Sequence, residues 1–263
     1  MTKYRVSIDI GGTFTDLVAL NERSGGILNV KVPSTPREPA EAVIKAFQEF
    51  LRKTNNTDVS VIIHATTIAT NALLGQLNLE LPKTALIATK GFRDIIEIGR
   101  QRRHELYNLF IQKPRTLIPR RLRFEVEERT GPKGEILTPL NKNQLESLAK
   151  QLENENVKSV AVALLFSYIN QKHEREIGKI LNKSLPKTYV SLSSEIAPEY
   201  REYERTSTAV VNAVLMPIVS SYLDDLQRKI RKLRVKAPLC MMQSDGGIAT
   251  KNVVSKKPVS MVE

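Results

Sequence analysis

The sequence predicts an α/β protein in which a mixed sheet is flanked by helices. Three observations predict it. Apolar, strand-like runs open the chain, separated by Gly-Gly turns at residues 11–12 and 25–26. Amphipathic helical segments then alternate with short apolar strands. The strand read at Val157–Phe166 is continuously apolar from Val160 onward, as expected of a strand covered on both faces. At 263 residues and 41% hydrophobic content the chain has room for one large domain or two modest ones.

Tyr4–Ile10, Thr15–Asn21 and Ile27–Val32 read as strands. Thr35-Pro36-Arg37-Glu38 reads as a helix start, combining a capping box with proline at the first helical position. Val43, Ala46, Phe47, Phe50 and Leu51 then recur at helical spacing. Val59–His64 is a buried strand, Thr67–Leu74 a short helix, Ala85–Ala88 a strand and Phe92–Gly99 a helix. This β-β-β-α-β-α order is that of a ribonuclease-H-like domain. Residues 100–140 are rich in Arg and Pro and read as a loop-bearing insertion. It holds a hairpin from Leu122–Glu128 to Glu135–Leu137 across Gly131-Pro132-Lys133-Gly134. Asn141, with Gln144 three residues on, caps a helix striped by Leu145, Leu148 and Leu152. A helix around Glu174–Leu181 and a strand at Tyr189–Leu192 follow. Arg201–Arg234 is the longest helical segment, stepping through Val211, Leu215, Ile218, Tyr222, Leu226, Ile230 and Leu233, with Pro217 expected to kink or split it. Ala237–Met242 is a last strand leading into Gln243-Ser244-Asp245-Gly246-Gly247.

The net charge of +12 suits an anionic substrate or an acidic partner. Basic clusters lie at Arg100–Arg103, Arg120–Arg123 and Arg228–Lys236, but aromatics are only 5%, tryptophan is absent and no recognition motif occurs. Nucleic acid is therefore not an expected partner. No apolar run is long enough to cross a bilayer and the N-terminus lacks a signal-peptide core, so no membrane partner is expected and the location is expected to be cytoplasmic. A single cysteine, Cys240, excludes an internal disulfide. His64, His104 and His173 show no metal-ligand spacing.

The richest segment is Ile8-Asp9-Ile10-Gly11-Gly12-Thr13-Phe14-Thr15-Asp16. Gly11 and Gly12 can turn the backbone and expose amide donors to an anion. Thr13 and Thr15, two apart on an extended chain, add hydroxyls on one face. Asp9 suits a hydrated Mg²⁺. An ordinary hairpin turn is the alternative; Asp9 before the glycines and Thr-x-Thr-Asp after them favour a phosphate cradle.

With these segments placed, the sequence resembles the hydantoinase/oxoprolinase family, the A-type subunits of N-methylhydantoinases, 5-oxoprolinases and acetone or acetophenone carboxylases. The resemblance runs nearly end to end. It includes Asp9–Asp16, His64-Ala65-Thr66-Thr67-Ile68-Ala69-Thr70-Asn71-Ala72-Leu73-Leu74, and Lys90–Gln101. It continues in Arg201–Thr208 with Val211-Asn212-Ala213, and in Met242–Gly247. Ala65 stands where many relatives have glycine, and Arg103-His104-Glu105-Leu106-Tyr107 where an Arg-Pro pair is more usual.

The resemblance implies the actin/hexokinase/Hsp70 superfamily, whose two ribonuclease-H-like halves clasp ATP. It implies an ATP- and Mg²⁺-dependent cyclic amidohydrolase that activates a carbonyl by phosphoryl transfer, with an acetone or acetophenone carboxylase-type subunit as the alternative. Asp9 and His64 are the implied catalytic residues, with Asp9 also the metal ligand. Gly11, Gly12, Thr13, Thr15 and Asp16 are implied at the nucleotide. Thr66, Thr67, Asn71, Arg100, Asp245, Gly246 and Gly247 are implied at the substrate pocket. Residues 1–195 correspond to the family's N-terminal domain, and 196–263 to the long helix and the start of the next. The expected reading is of an N-terminal portion whose partners are a small cyclic amide or ketone and a C-terminal half or B-type subunit, within an oligomer. A non-catalytic chain that assembles with a partner is the further alternative.

Overall fold

The computed structural model describes residues 2–35, 38–75, 80–101, 105–111 and 115–262. The chain forms two compact α/β units, one from Met1–Leu81 with Ile218–Glu263, the other from Pro82–Pro217.

The first unit is built on a six-stranded mixed sheet. β1 (Tyr4–Ile10), β2 (Phe14–Asn21) and β3 (Ile27–Pro33) form an antiparallel meander. β4 (Val59–Thr66) pairs parallel to β1 on its other side. Two strands from the far end of the sequence, β11 (Leu239–Met242) and β12 (Ile248–Thr250), extend the sheet beyond β4 in the order β12-β11-β4-β1-β2-β3. Strand alternation sorts the side chains: Ile8, Leu17 and Val30 share one row and are all buried. Helix α1 (Pro39–Thr54) covers that face with Ala42, Val43, Phe47 and Phe50, all fully buried. Each such phenylalanine contributes on the order of 2–3 kcal/mol by leaving water.

The second unit is a four-stranded sheet, parallel throughout, ordered β10-β9-β5-β6. Its strands are β5 (Thr84–Thr89), β6 (Arg123–Val126), β9 (Ser159–Ala163) and β10 (Tyr189–Leu192). β5 and β9 are buried along their whole lengths, as the continuous apolar run predicts. Helix α4 (Lys142–Asn154) packs Leu145, Leu148 and Leu152 into this core, and the Asn141 side chain caps it by accepting from the Gln144 amide at 3.2 Å. Helix α5 (Lys172–Ser184) brings in Glu174, a buried carboxylate satisfied by three donors: Leu164 N–H at 2.9 Å, Ser194 N–H at 2.8 Å and Ser193 Oγ–H at 2.7 Å. The carboxylate thereby ties the loops after β9 and β10 together.

Several elements differ from expectation. α1 begins at Pro39, one turn late, because a second proline supplies the helical φ there. The Thr35 hydroxyl still accepts from a helix amide, Ala42 N–H at 3.2 Å, and donates to Glu38 O at 2.6 Å; Pro36 and Arg37 lie outside the described residues. The helix expected at Phe92–Gly99 contracts to α3 (Ile95–Ile98), since Gly91 and Gly99 flank it with φ of 88° and 58°. The expected hairpin from Leu122 does not form. β6 adds parallel to β5 instead, and the hairpin is the shorter pair β7 (Arg129–Thr130) and β8 (Ile136–Thr138).

Helix α7 (Glu202–Lys232) is not split at Pro217; Ala213, Val214, Leu215, Met216 and Val219 around it are buried, and that packing outweighs one lost backbone bond. By length and composition alone α7 could cross a bilayer, yet 67% of that stretch is buried inside the protein, as in a core helix. Replacing Glu174 with alanine strands three buried donors and should cost about 3 kcal/mol in urea unfolding. Asn141→Ala, which removes only a helix cap, should cost about 1 kcal/mol.

Candidate functional site

Parallel pairing makes β1, β4 and β11 end at the same edge of the first unit's sheet. Ile10 stands beside Thr66, and Met241 beside His64. Loops leaving that edge are where ligands bind in sheets of this kind. A pocket opens there between the β1–β2 loop, the segment after β3 and the β4–α2 junction, where α2 is Ile68–Leu73. Gly11 and Gly12 line one wall, Thr66, Thr67 and Asn71 another, and Ser34 a third.

The two glycines do different work, and neither adopts a positive φ. A Cβ on Gly11 would meet the Phe14 carbonyl at 3.1 Å, across the turn that the Gly11 amide closes by donating to that oxygen at 3.0 Å. A Cβ on Gly12 would meet nothing within 4 Å. Gly11 is therefore held close by the turn, whereas Gly12 borders open space.

Ser34 was not anticipated. It donates its hydroxyl to Gly11 O at 2.7 Å, and the Thr15 hydroxyl, 3.0 Å away, donates to Ser34 in turn. Thr15 is fully buried, so its hydroxyl pins the loop rather than facing a ligand, contrary to the expectation that Thr13 and Thr15 both reach the nucleotide. Thr13 is exposed, with its carbonyl held by Ser34 N–H at 2.9 Å. The signal was in the antiparallel register, which returns β3 beside β2 and sets Ser34 just past their pairing of Pro33 with Phe14.

Asp9 and Asp16 stand directly opposite each other on β1 and β2, on the sheet face away from α1. Asp16 forms an ion pair with Lys31 at 3.3 Å, and Asp9 is exposed. Asn71 donates to the Thr67 hydroxyl at 3.1 Å, which orients both side chains along one turn of helix.

His64 does not occupy the position of a proton-transfer group. It is fully buried, and burial lowers its pKa to about 4, so the imidazole is neutral near pH 7. Nδ1 lies 3.2 Å from the Ile8 carbonyl, which can only accept, so Nδ1 carries the proton. Nε2 then accepts from the Tyr222 hydroxyl on α7 at 2.6 Å. The expectation of a catalytic His64 is corrected to a buried link between β4, β1 and α7.

Four further expected residues are not among those lining this pocket. Arg100 lies in the second unit, where its guanidinium is engaged by Glu204. Asp245, Gly246 and Gly247 form the β11–β12 turn: Gly246 has φ of 82° and Asp245 accepts the Gly247 amide at 2.8 Å. One Asp245 carboxylate oxygen thus serves its own turn. Arg102, Arg103 and His104 lie outside the described residues.

Glycine and hydroxyl groups gathered at a sheet's strand ends place the chain among α/β proteins whose ligand sites lie at that edge. Comparison with known proteins narrows this class. Residues 5–185 match the hydantoinase/oxoprolinase N-terminal region and residues 205–263 match hydantoinase/oxoprolinase. The chain belongs to the hydantoinase/oxoprolinase family. It is 45% identical to an uncharacterized protein of Methanocaldococcus jannaschii over 99% of this chain and 38% of that one. It is 30% identical to the caprolactamase subunit alpha of Pseudomonas jessenii, again over 99% of this chain and 38% of the relative. The crystal structure of the ATP-dependent caprolactamase from that organism superposes with a TM-score of 0.87 at 29% identity, covering 99% of this chain and 38% of that chain. This chain thus spans less than two-fifths of the length of these relatives.

The buried imidazole sets a pH dependence. Below the ordinary histidine pKa of 6.5 the unfolded chain takes up a proton that folded His64 refuses until about pH 4. Stability should therefore fall as pH drops through that window, by about 3 kcal/mol in total from this group. The difference between wild type and His64→Gln in urea midpoints at pH 7 and pH 4.5 measures it.

Proposed function

We propose that this chain is the nucleotide-binding N-terminal portion of an ATP-dependent cyclic amidohydrolase, and that its first unit is ribonuclease-H-like, one half of an actin-type clasp. The observation that carries the reading is the convergence of Gly11 and Gly12 with Thr66, Thr67 and Asn71 on one pocket at the ends of β1 and β4. The strand order of the meander plus parallel β4 supports the fold assignment. The donor set suits Mg·ATP. Gly12 leaves room for a phosphate against backbone amides, and the Thr67 and Asn71 side chains offer further polar contacts. Two carboxylates opposite each other, Asp9 and Asp16, repel unless a cation offsets them. Lys31 pairs with Asp16, and the exposed Asp9 carboxylate is of the type that holds a hydrated Mg²⁺.

An amide carbonyl is a poor electrophile because its nitrogen lone pair is delocalised. Phosphoryl transfer from ATP to that oxygen gives ADP and an O-phosphorylated ring. One water then adds at carbon and expels the ring nitrogen, leaving an acyl phosphate, and a second water releases phosphate and the carboxylate. The pocket's part is to hold the phosphates in line and neutralise their charge. Because the chain spans only 38% of its relatives, residues for the opposite side of the nucleotide and for the amide are assigned to a C-terminal half or a partner subunit.

Titration of the isotope-labelled chain with Mg·ATP should shift the amide signals of Gly11, Gly12 and Thr67, and Asp9→Asn should remove the magnesium dependence; unchanged spectra at millimolar Mg·ATP would overturn the assignment. Gly12→Ala should leave stability within about 0.5 kcal/mol yet weaken binding at least about tenfold, since the methyl enters the phosphate space. Gly11→Ala should instead destabilise the fold by about 1–2 kcal/mol.

A further inference from the structure

Tyr222 of the long helix α7 is 8% exposed and packs against the His64 ring, beneath the strand ends that carry the candidate pocket. Its hydroxyl donates to His64 Nε2 at 2.6 Å, while His64 Nδ1–H donates to Ile8 O at 3.2 Å. Ile8 and His64 are paired residues of β1 and β4, each two positions before a pocket residue, Ile10 and Thr66. The row therefore forms the buried floor on which both pocket walls stand. Burial raises the phenol's pKa, and the neighbouring Thr66 side chain acts in the opposite direction. Thr66 Oγ1 accepts the first amide of the following helix, Ile68 N–H, at 3.3 Å.

We propose that Tyr222 is a positioning residue of the pocket: its hydroxyl fixes His64 as the Nδ1–H tautomer, whose Nδ1–H ties β4 to β1, so the β1 and β4 ends stay in register for the ligand. This rests on the phosphate-site reading above, and it assigns to α7 a role that the nucleotide-contacting loops do not cover.

The test uses the full chain with ¹⁵N-histidine. Wild type should show His64 with Nδ1 protonated and Nε2 bare at pH 7; the opposite pattern overturns the proposal even if no variant folds. Tyr222→Phe should move the Nε2 resonance, speed amide exchange at residues 66–71, and raise the Mg·ATP dissociation constant about tenfold, the equivalent of one buried hydrogen bond. Thr66→Val should weaken Mg·ATP similarly without moving the His64 signal. A Tyr222→Phe chain with a shifted His64 signal but Mg·ATP affinity within about twofold of wild type overturns the proposal. If wild type does not bind Mg·ATP, the phosphate reading fails; the exchange measurement still decides Tyr222, and unchanged protection at 66–71 overturns its role.

Discussion

Parallel pairing of β1 with β4 sets Ile10 beside Thr66, and both walls of the pocket follow from that register. Were β4 shifted by one residue, its side chains would exchange faces: His64 would leave the core and Ile62 would reach the open side. Backbone hydrogen bonds alone tolerate such slips. Here the His64 side chain adds a cross-strand bond to Ile8, and the buried Ile62 and Ile8 fill the same face. An uncharged imidazole suits this position, since a charged one would lose its hydration without a carboxylate to offset it.

The two units handle buried polarity differently. In the first, hydroxyl and imidazole groups form short neutral links: Thr15 to Ser34 to Gly11, and Tyr222 to His64 to Ile8. In the second, ionisable groups are gathered at the strand ends. Glu128 joins Thr89 to His173 Nδ1, the latter at 2.7 Å. Arg205 donates to Leu164 O at 2.9 Å and to Glu199 O at 2.8 Å, with its guanidinium over the Tyr168 ring. Such linked groups specify loop positions closely, because removing any one leaves another without compensation.

Much of the fold was legible in the sequence because local signals and tertiary packing agreed. Asn141 capping Gln144, the strand Tyr189–Leu192 and the three opening strands all satisfied period and end signals at once. Failures arose where a distant partner decided. β6 became a parallel neighbour of β5 although its own sequence suited a hairpin, and no local feature announces a strand partner far along the chain. In the site, the Gly-Gly segment and the Thr66–Asn71 segment were both visible as motifs, and the structure brings them together. Motif reading treated every hydroxyl and acid as facing the ligand. It could not tell that Thr15 and His64 point into the core while Asp245 serves its own turn. Strand alternation from buried Ile8 and Leu17 places Thr15 on the inner face and Asp9 and Asp16 on the outer one.

The first unit's sheet draws β11 and β12 from beyond the whole second unit. That arrangement governs the order of assembly during synthesis. When the ribosome has released β1 to β4, the β4 edge still exposes its unpaired amides and carbonyls, and Tyr222 has not yet reached His64. The second unit, continuous in sequence, can close its own core first. The nascent first unit must therefore persist with an open strand edge, a state prone to wrong pairing, until the last fifth of the chain emerges. Chaperone demand should fall on this interval rather than on the finished protein.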